Sequence, residues 1–240
     1  MKHVCSVVLS LALALSFCTL CTAAENQSAV FTDANFLAAV YEELGKSPGD
    51  PLTKAECEEV TMLDASDRGI KSLNGVELLV NLTDLWVAEN QLTRLDFSKN
   101  PALEYLACYD NQLTSLNVRS NPKLNCLECE DNRLTSLDLT KNRQLVALDC
   151  SRNQLRDIDL KHNPELTYLY CSENLWRLLD VSKNPTLEEL NNNLNGAVYG
   201  FDFREPLAYS GMVFWWMETP VWLQWALRHL FFGWVWMGYL

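Results

Sequence analysis

The feature that most constrains this chain is a leucine that recurs every 21 residues across its middle. A unit of this length cannot bury its apolar face alone, so neighbouring units must stack to build a shared core. If each unit contributes one short strand, stacking sets successive parallel strands about 4.8 Å apart. The units begin at Leu82, Leu103, Leu124, Leu145, Leu166 and Leu187.

With that leucine as repeat position 0, apolar residues also stand at positions 3, 5, 10, 13 and 15. The second half of each unit is again Leu-x-x-Leu, so both sides of a coil are candidates for extended backbone. A unit of 22 residues, 60–81, precedes the five regular units, and the unit that starts at Leu187 is degenerate. The pattern predicts a repeat domain over residues 60–203.

Asparagine recurs at repeat position 8, where the strand half of each unit must turn. A buried turn needs partners for its backbone groups, and an asparagine amide carries both a donor and an acceptor. We therefore predict a structural ladder of hydrogen-bonding asparagines. Its members are Asn90, Asn111, Asn132, Asn153 and Asn174.

Residues 25–59, ahead of the repeats, predict a helical cap. The segment 33–44 is amphipathic and stops at Gly45, as a helix would. Thr53 and Glu56 have the spacing of a capping box, which predicts a second short helix. Such a cap would shield the apolar edge of the first coil.

Cysteine occupies repeat position 5, a core position that Val87 fills in the unit before. We interpret these cysteines as small buried apolar side chains, because parallel neighbours are poorly oriented for disulfides and a line of thiols does not converge on a metal. Cys126, at position 2, is instead predicted to be exposed and open to oxidation. The predicted structural cysteine ladder is Cys108, Cys129, Cys150 and Cys171.

The nested 21-residue pattern, the recurring cysteine and the helical segment together resemble the bacterial internalin-like leucine-rich-repeat proteins. The resemblance covers about residues 30–203. It implies an α/β fold, a curved, strand-rich, right-handed leucine-rich-repeat solenoid with an N-terminal helical cap. It also implies adhesion to a protein of a host or neighbouring cell.

Charge and motif content argue against several classes of function. The chain has 31 acidic and 19 basic side chains, a net charge of −12, which argues against nucleic acid as a partner. No Ser/His/Asp or Cys/His constellation, phosphate loop or zinc spacing is present in the sequence. We therefore predict a protein that is not an enzyme and that needs no cofactor and no metal.

The concave face is the predicted working surface, because curved repeat arrays usually bind ligands there. Strand alternation directs repeat positions 2, 4 and 6 outward. These positions and position 7 bring aromatic residues around an acidic centre, which favours a protein partner with a basic surface, or a glycan. The predicted ligand-binding residues are Trp86, Tyr105, Tyr109, Glu128, Glu130, Asp131, Asp149, Tyr168 and Tyr170.

The two ends of the chain differ in composition from the repeats. Residues 1–24 combine a basic start, an apolar run and small residues before Glu25, which predicts a secretory signal peptide. Six of the eight tryptophans fall within the last 26 residues. The hydrophobic tail, 204–240, has three interpretations: a membrane anchor through residues 221–240, a cap over the last coil, or a disrupted reading frame.

Together these features predict an exported leucine-rich-repeat interaction protein, secreted or held at the cell surface, that binds a protein through its acidic, aromatic concave face. Two alternatives stay open. One is the capture of glycans or peptides at the cell surface, and the other is a truncated fragment of a larger surface protein. The sequence does not specify an oligomeric state.

Overall fold

The computed structural model describes residues 26–199. The predicted signal peptide, 1–24, and the predicted tail, 204–240, lie outside this range. Within it the chain forms two α-helices and nine strands of three residues each. Neither of these two helices is both long and apolar enough to cross a bilayer.

Both helices lie in the predicted N-terminal cap. Helix α1 spans Ala34–Glu43 and helix α2 spans Lys54–Glu59. The capping box at the start of α2 is formed, because the Thr53 hydroxyl accepts from the Glu56 amide while the Glu56 carboxylate accepts from the Thr53 amide. The predicted helical cap is therefore confirmed.

Asp33 joins α1 to the first coil. One carboxylate oxygen caps the helix by accepting from the amides of Asn35 and Phe36 at 3.0 and 3.3 Å. The other oxygen accepts from the amides of Lys71 and Ser72 at 2.8 and 3.3 Å. Partial burial alone would raise the pKa of Asp33, but the four N–H donors outweigh it and hold the pKa below its usual value. The ionised carboxylate is thus the form that ties the cap to the repeats.

Seven strands form one parallel sheet in the order β1-β2-β3-β4-β5-β6-β8, and β7 pairs with β9 in a second, parallel two-stranded sheet. Every coil adds one strand to the first sheet, so chain order and sheet order agree, as a leucine-rich-repeat solenoid requires. The predicted fold class is confirmed. The strands are β1 (Met62–Asp64), β2 (Asp84–Trp86), β3 (Tyr105–Ala107), β4 (Cys126–Glu128), β5 (Ala147–Asp149), β6 (Tyr168–Tyr170), β7 (Leu178–Asp180), β8 (Glu189–Asn191) and β9 (Ala197–Tyr199).

A leucine stands at the centre of each strand of the main sheet, and these leucines are direct neighbours in the register. From β1 to β6 all of them are fully buried. The other apolar repeat positions are buried as well, so the core is a continuous column of leucine, valine and cysteine side chains. Truncating one such leucine to alanine typically costs about 2–5 kcal/mol.

The second halves of the coils differ from the sequence-based expectation of extended strands on both sides. Among residues 26–199 only β7 and β9 pair in this way. In the earlier coils, the carbonyl at repeat position 15 accepts hydrogen bonds from asparagine instead. The Val118 carbonyl, for example, accepts from the Asn121 amide at 3.1 Å and from the Asn142 side chain at 3.0 Å.

A close contact between Phe31 and Gly75 packs the helical cap against the first coil. Gly75 has a φ of +108°, and a Cβ built on it would lie 2.4 Å from Cδ1 of Phe31. The Phe31 ring also packs against Phe36 of α1, with ring centroids 5.6 Å apart. Only glycine combines this backbone conformation with so close an approach.

We expect Gly75→Ala to lower the free energy of unfolding by about 3 kcal/mol, because it adds a steric clash to an unfavourable backbone conformation. Gly49→Ala is the matched control, since Gly49 has a φ of +95° and nothing within 4 Å of an added Cβ. Its cost should be about 1 kcal/mol. Urea denaturation of both variants measures the difference, and equal losses would contradict the role given to the Phe31 contact.

Candidate functional site

The outward side chains of β2–β6 share one surface, here called the strand face. The first and third residues of each strand lie on the side opposite the central leucine, and the parallel register aligns them in two rows. Ala107 is fully buried within its row. Six of the predicted binding residues stand in these rows. The first row is Asp84, Tyr105, Cys126, Ala147 and Tyr168, and the second is Trp86, Ala107, Glu128, Asp149 and Tyr170.

Trp86, Tyr105 and Glu128 form a connected group across three successive strands. The rings of Trp86 and Tyr105 have centroids 5.1 Å apart. The Tyr105 hydroxyl is hydrogen-bonded to Glu128 and to Trp86; it donates to the carboxylate and accepts from the indole. Burial, and then the charge of Glu128, raises the pKa of Tyr105, so the phenol stays protonated. The group therefore fixes the orientation of Glu128.

Asp131 and Arg152 form an ion pair between neighbouring coils. Nε and Nη2 of Arg152 donate to the two carboxylate oxygens of Asp131, the bidentate geometry that guanidinium favours. This hydrogen bonding raises the pKa of Arg152, and the charges of Asp149 and Glu130 add to the effect. Asp131 therefore has its charge balanced within the chain, which the residue pattern alone did not indicate.

Repeat position 7 has a left-handed backbone in every coil from residue 60 to 199. This conformation costs a residue other than glycine about 1–2 kcal/mol, yet none of these positions is glycine. The turn that ends the strand half of each coil begins immediately before the residue at repeat position 7. The residues are Asp67, Glu89, Asp110, Asp131, Arg152, Glu173 and Leu194, with φ between 50° and 61°.

The prediction that Glu130 lies on the exposed face is wrong. Its side chain is 2% exposed. The strand ends at Glu128, and the left-handed turn at Asp131 prevents the in-and-out alternation from continuing to repeat position 6. Tyr109, at the same position in the coil before, is half-buried. Other residues buried at this position are Ala88, Ser151 and Ser172.

The cysteines of repeat position 5 line the core beside the leucines. All four are fully buried, and every cysteine in residues 26–199 is a free thiol. Burial is the main cause that raises the pKa of each of them, so these thiols are protonated at neutral pH. Cys108, Cys129 and Cys150 thus pack as small apolar side chains. Cys171, in the last of these coils, also donates from its thiol to the Asn191 carbonyl at 3.4 Å.

The asparagines of repeat position 8 join consecutive coils. Asn132 is typical: its Nδ2 donates to the carbonyl of Cys108 in the preceding coil at 3.0 Å, and to Cys129 and Glu130 in its own coil. Its Oδ1 accepts from the Leu113 amide at 2.9 Å. The same set recurs at Asn111, Asn153 and Asn174, and Asn90 makes the equivalent bonds to the first coil.

A second asparagine ladder, at repeat position 18, was given no role from the sequence. Each of its Nδ2 atoms donates to two carbonyls of the preceding coil, as Asn142 does to Val118 at 3.0 Å and to Asn121 at 2.9 Å. The recurrence of Asn, usually before Pro, at one position of each unit was the available signal. The members are Asn100, Asn121, Asn142, Asn163 and Asn184, all buried.

Comparison with known proteins supports this architecture. No family model matches the chain. The functional domain of InlJ from Listeria monocytogenes, which includes a cysteine ladder, is 27% identical, with a TM-score of 0.52 over 73% of this chain and 48% of that chain. The chain is a leucine-rich-repeat solenoid that is similar to this internalin. The leucine-rich-repeat domain of APL1B, 24% identical with a TM-score of 0.53, supports the fold alone and covers 60% of this chain and 46% of that one.

This internalin-like chain spans about half the length of the InlJ domain that it matches. Leucine-rich-repeat folds are typically interaction domains rather than enzymes. In the described part of the chain, no three His, Cys, Asp or Glu side chains are grouped so that they could hold a metal ion. The strand face presents aromatic rings and carboxylates side by side.

We expect Asn132→Ala to lower the free energy of unfolding by about 3 kcal/mol or more, because it leaves three carbonyls and one amide of two coils without their side-chain partner. Asn117→Ala is the control, since Asn117 is exposed and accepts one hydrogen bond, from the Arg119 amide. It should cost less than about 1 kcal/mol. Similar losses in urea denaturation would refute the ladder's structural role.

The sequence predicted an exposed Cys126, but this side chain is half-buried, and we expect it to react slowly with iodoacetamide at pH 8. Burial, followed by the charges of Glu128, Glu130 and Asp149, raises its pKa, and each unit of rise removes about nine-tenths of the reactive thiolate. Peptide mass spectrometry should show alkylation at least about tenfold slower than in the urea-unfolded chain. Glu128→Gln should accelerate the reaction in the folded protein, since it removes one of these charges. Equal rates in the folded and unfolded chain would contradict the assigned environment.

Proposed function

We propose that this protein is an exported interaction module that binds a protein partner through the strand face, in adhesion or recognition at a cell surface. The observation that carries the proposal is the register of the main sheet, which sets Trp86 and Tyr105 on one side of Glu128 and Asp149, and Tyr168 and Tyr170 on the other. Aromatic side chains around a polar centre are typical of the energetically dominant part of protein interfaces.

Two features support a protein partner. Tyr168 is 39% exposed, and Trp86 and Tyr170 are half-buried, so the rings are partly fixed by the fold while part of each faces solvent. An aromatic ring held in this way loses little conformational entropy when it binds. The carboxylates between them would attract a basic partner and repel an acidic one.

Export is supported by the sequence of residues 1–24, with its basic start, apolar run and small residues before Glu25. The core thiols are consistent with an oxidising environment, because their burial protects them from reaction. A role in recognition is supported by the leucine-rich-repeat fold that the chain shares with the InlJ domain of Listeria monocytogenes, because curved repeat arrays present extended binding surfaces.

The test compares the full chain with a triple variant, Trp86→Ala, Tyr168→Ala and Tyr170→Ala, on an array of purified extracellular protein domains and on a glycan array. Any protein bound by the wild type should bind the variant at least about 100-fold more weakly, because aromatic anchors dominate such interfaces. Circular dichroism and thermal unfolding verify that the variant is folded.

The matched control is Thr114→Ala, Ser136→Ala and Arg156→Ala, three exposed residues in the second halves of coils. This control should bind like the wild type. A protein ligand that the face variant retains would refute the strand face as the binding surface. Binding to glycans with no binding to any protein domain would refute the proposed partner class.

A further inference from the structure

Two tyrosines and one asparagine lie together at the C-terminal end of the strand face. Tyr168 and Tyr170 are the first and third residues of β6, and Asn191 of the next strand, β8, is the direct neighbour of Tyr170 in the register. Alternate residues of a strand are about 6.6 Å apart, and adjacent strands are about 4.8 Å apart. The three residues, here called the β6 site, therefore occupy one small area.

The Asn191 side chain is held so that its amide nitrogen faces away from its own hydrogen-bond partners. Its Oδ1 accepts from the Ser172 hydroxyl at 2.7 Å and from the Asn193 amide at 3.4 Å. Fixing the oxygen in this way directs the NH2 group to the opposite side of the amide. Within residues 26–199 this Nδ2 donates no hydrogen bond, and it is accessible to solvent. Asn191 therefore offers an oriented donor to a ligand.

Tyr168 adds an exposed ring and a second donor. Its side chain is 39% exposed, and its hydroxyl has no hydrogen-bond partner in the described part of the chain. Tyr170, which stands between Tyr168 and Asn191, is half-buried, so the fold limits the movement of its ring. The β6 site thus combines two aromatic surfaces with two donors, which suits a ligand that carries both apolar groups and hydrogen-bond acceptors.

The aromatic group at the other end of the strand face differs, because its polar atoms bind one another. The Tyr105 hydroxyl is hydrogen-bonded to Glu128 and to the Trp86 indole, and the two rings have centroids 5.1 Å apart. A ligand there would have to replace existing hydrogen bonds, whereas at the β6 site it would add new ones. The β6 site is therefore the end of the strand face that gains more from a partner.

We propose that the β6 site is the principal anchor of the strand face and that it receives an extended peptide segment of the protein partner. The segment lies along β6, and its alternate side chains pack against Tyr168 and Tyr170, because both sets have the same spacing of about 6.6 Å. One main-chain carbonyl of the segment accepts from Nδ2 of Asn191, and another accepts from the Tyr168 hydroxyl. The inference rests on the proposed function, since it names the part of that face and the form of the partner.

The first experiment selects phage-displayed random dodecapeptides on the full chain and measures the enriched peptides by fluorescence anisotropy. Asn191→Asp keeps an oxygen for the Ser172 hydroxyl but removes the NH2 donor, so it should weaken binding at least about tenfold. Tyr168→Ala should weaken binding as much, because it removes an aromatic anchor and a donor. The matched control, Asn193→Asp, adds the same charge at an exposed neighbour and should change binding less than about threefold.

Thermal unfolding verifies that these variants are folded. Enriched peptides that bind Asn191→Asp and Tyr168→Ala as tightly as the wild type would overturn the proposal. Equal losses with Asn191→Asp and Asn193→Asp would overturn the donor role of Asn191. Enrichment of no peptide would overturn the peptide form of the partner, and binding on the glycan array that Tyr168→Ala abolishes would then assign the β6 site to a glycan.

The array of extracellular domains separates this inference from the proposed function. The double variant Tyr168→Ala and Tyr170→Ala should weaken any protein ligand nearly as much as the triple variant, and more than Trp86→Ala alone. A ligand that the triple variant loses and the double variant keeps would leave the strand face as the binding surface and overturn only the assignment to the β6 site. Retention of the ligand by the triple variant would overturn both.

Discussion

The hydrogen bonds of the repeated asparagine amides, from Asn90 to Asn174, join each coil to the one before it, and the rest of the solenoid depends on them. A coil of 21 residues has turns whose backbone groups face the core, where water cannot reach them. One amide side chain satisfies three carbonyls and one N–H, and in doing so it fixes the distance and register between neighbouring coils. This distance and register also determine how the leucine column and the parallel sheet are stacked.

The sequence predicted what depends on periodicity. Leucines at fixed repeat positions, a cysteine in place of Val87, and the capping box at Thr53 all follow local rules that need no knowledge of neighbours in space. The helical cap, the parallel sheet and the buried thiols could therefore be predicted from the order of the amino acids alone. The InlJ domain, to which the chain is similar, also includes a cysteine ladder.

What the sequence could not predict depends on where each strand stops. Strand alternation applied to Glu130 gives an exposed residue, but the left-handed turn one residue later ends the alternation and buries it. The second halves of the coils are apolar enough to be strands, yet within residues 26–199 only β7 and β9 pair there. The Asp131–Arg152 pair and the Trp86–Tyr105–Glu128 group also depend on distances between coils, which no single repeat contains.

Because each coil adds one strand to the main sheet, side chains on the strand face are separated by whole multiples of the strand spacing. The space between Tyr105 and Tyr168 is set by the number of coils that carry a small residue between them, here the two with Cys126 and Ala147. Duplication or loss of one whole unit in the gene would lengthen or shorten that space by about 4.8 Å and leave the core, the turns and the register of the other coils intact. Recombination between repeats can thus change the spacing of side chains on the strand face in single steps, each of which preserves the folded solenoid.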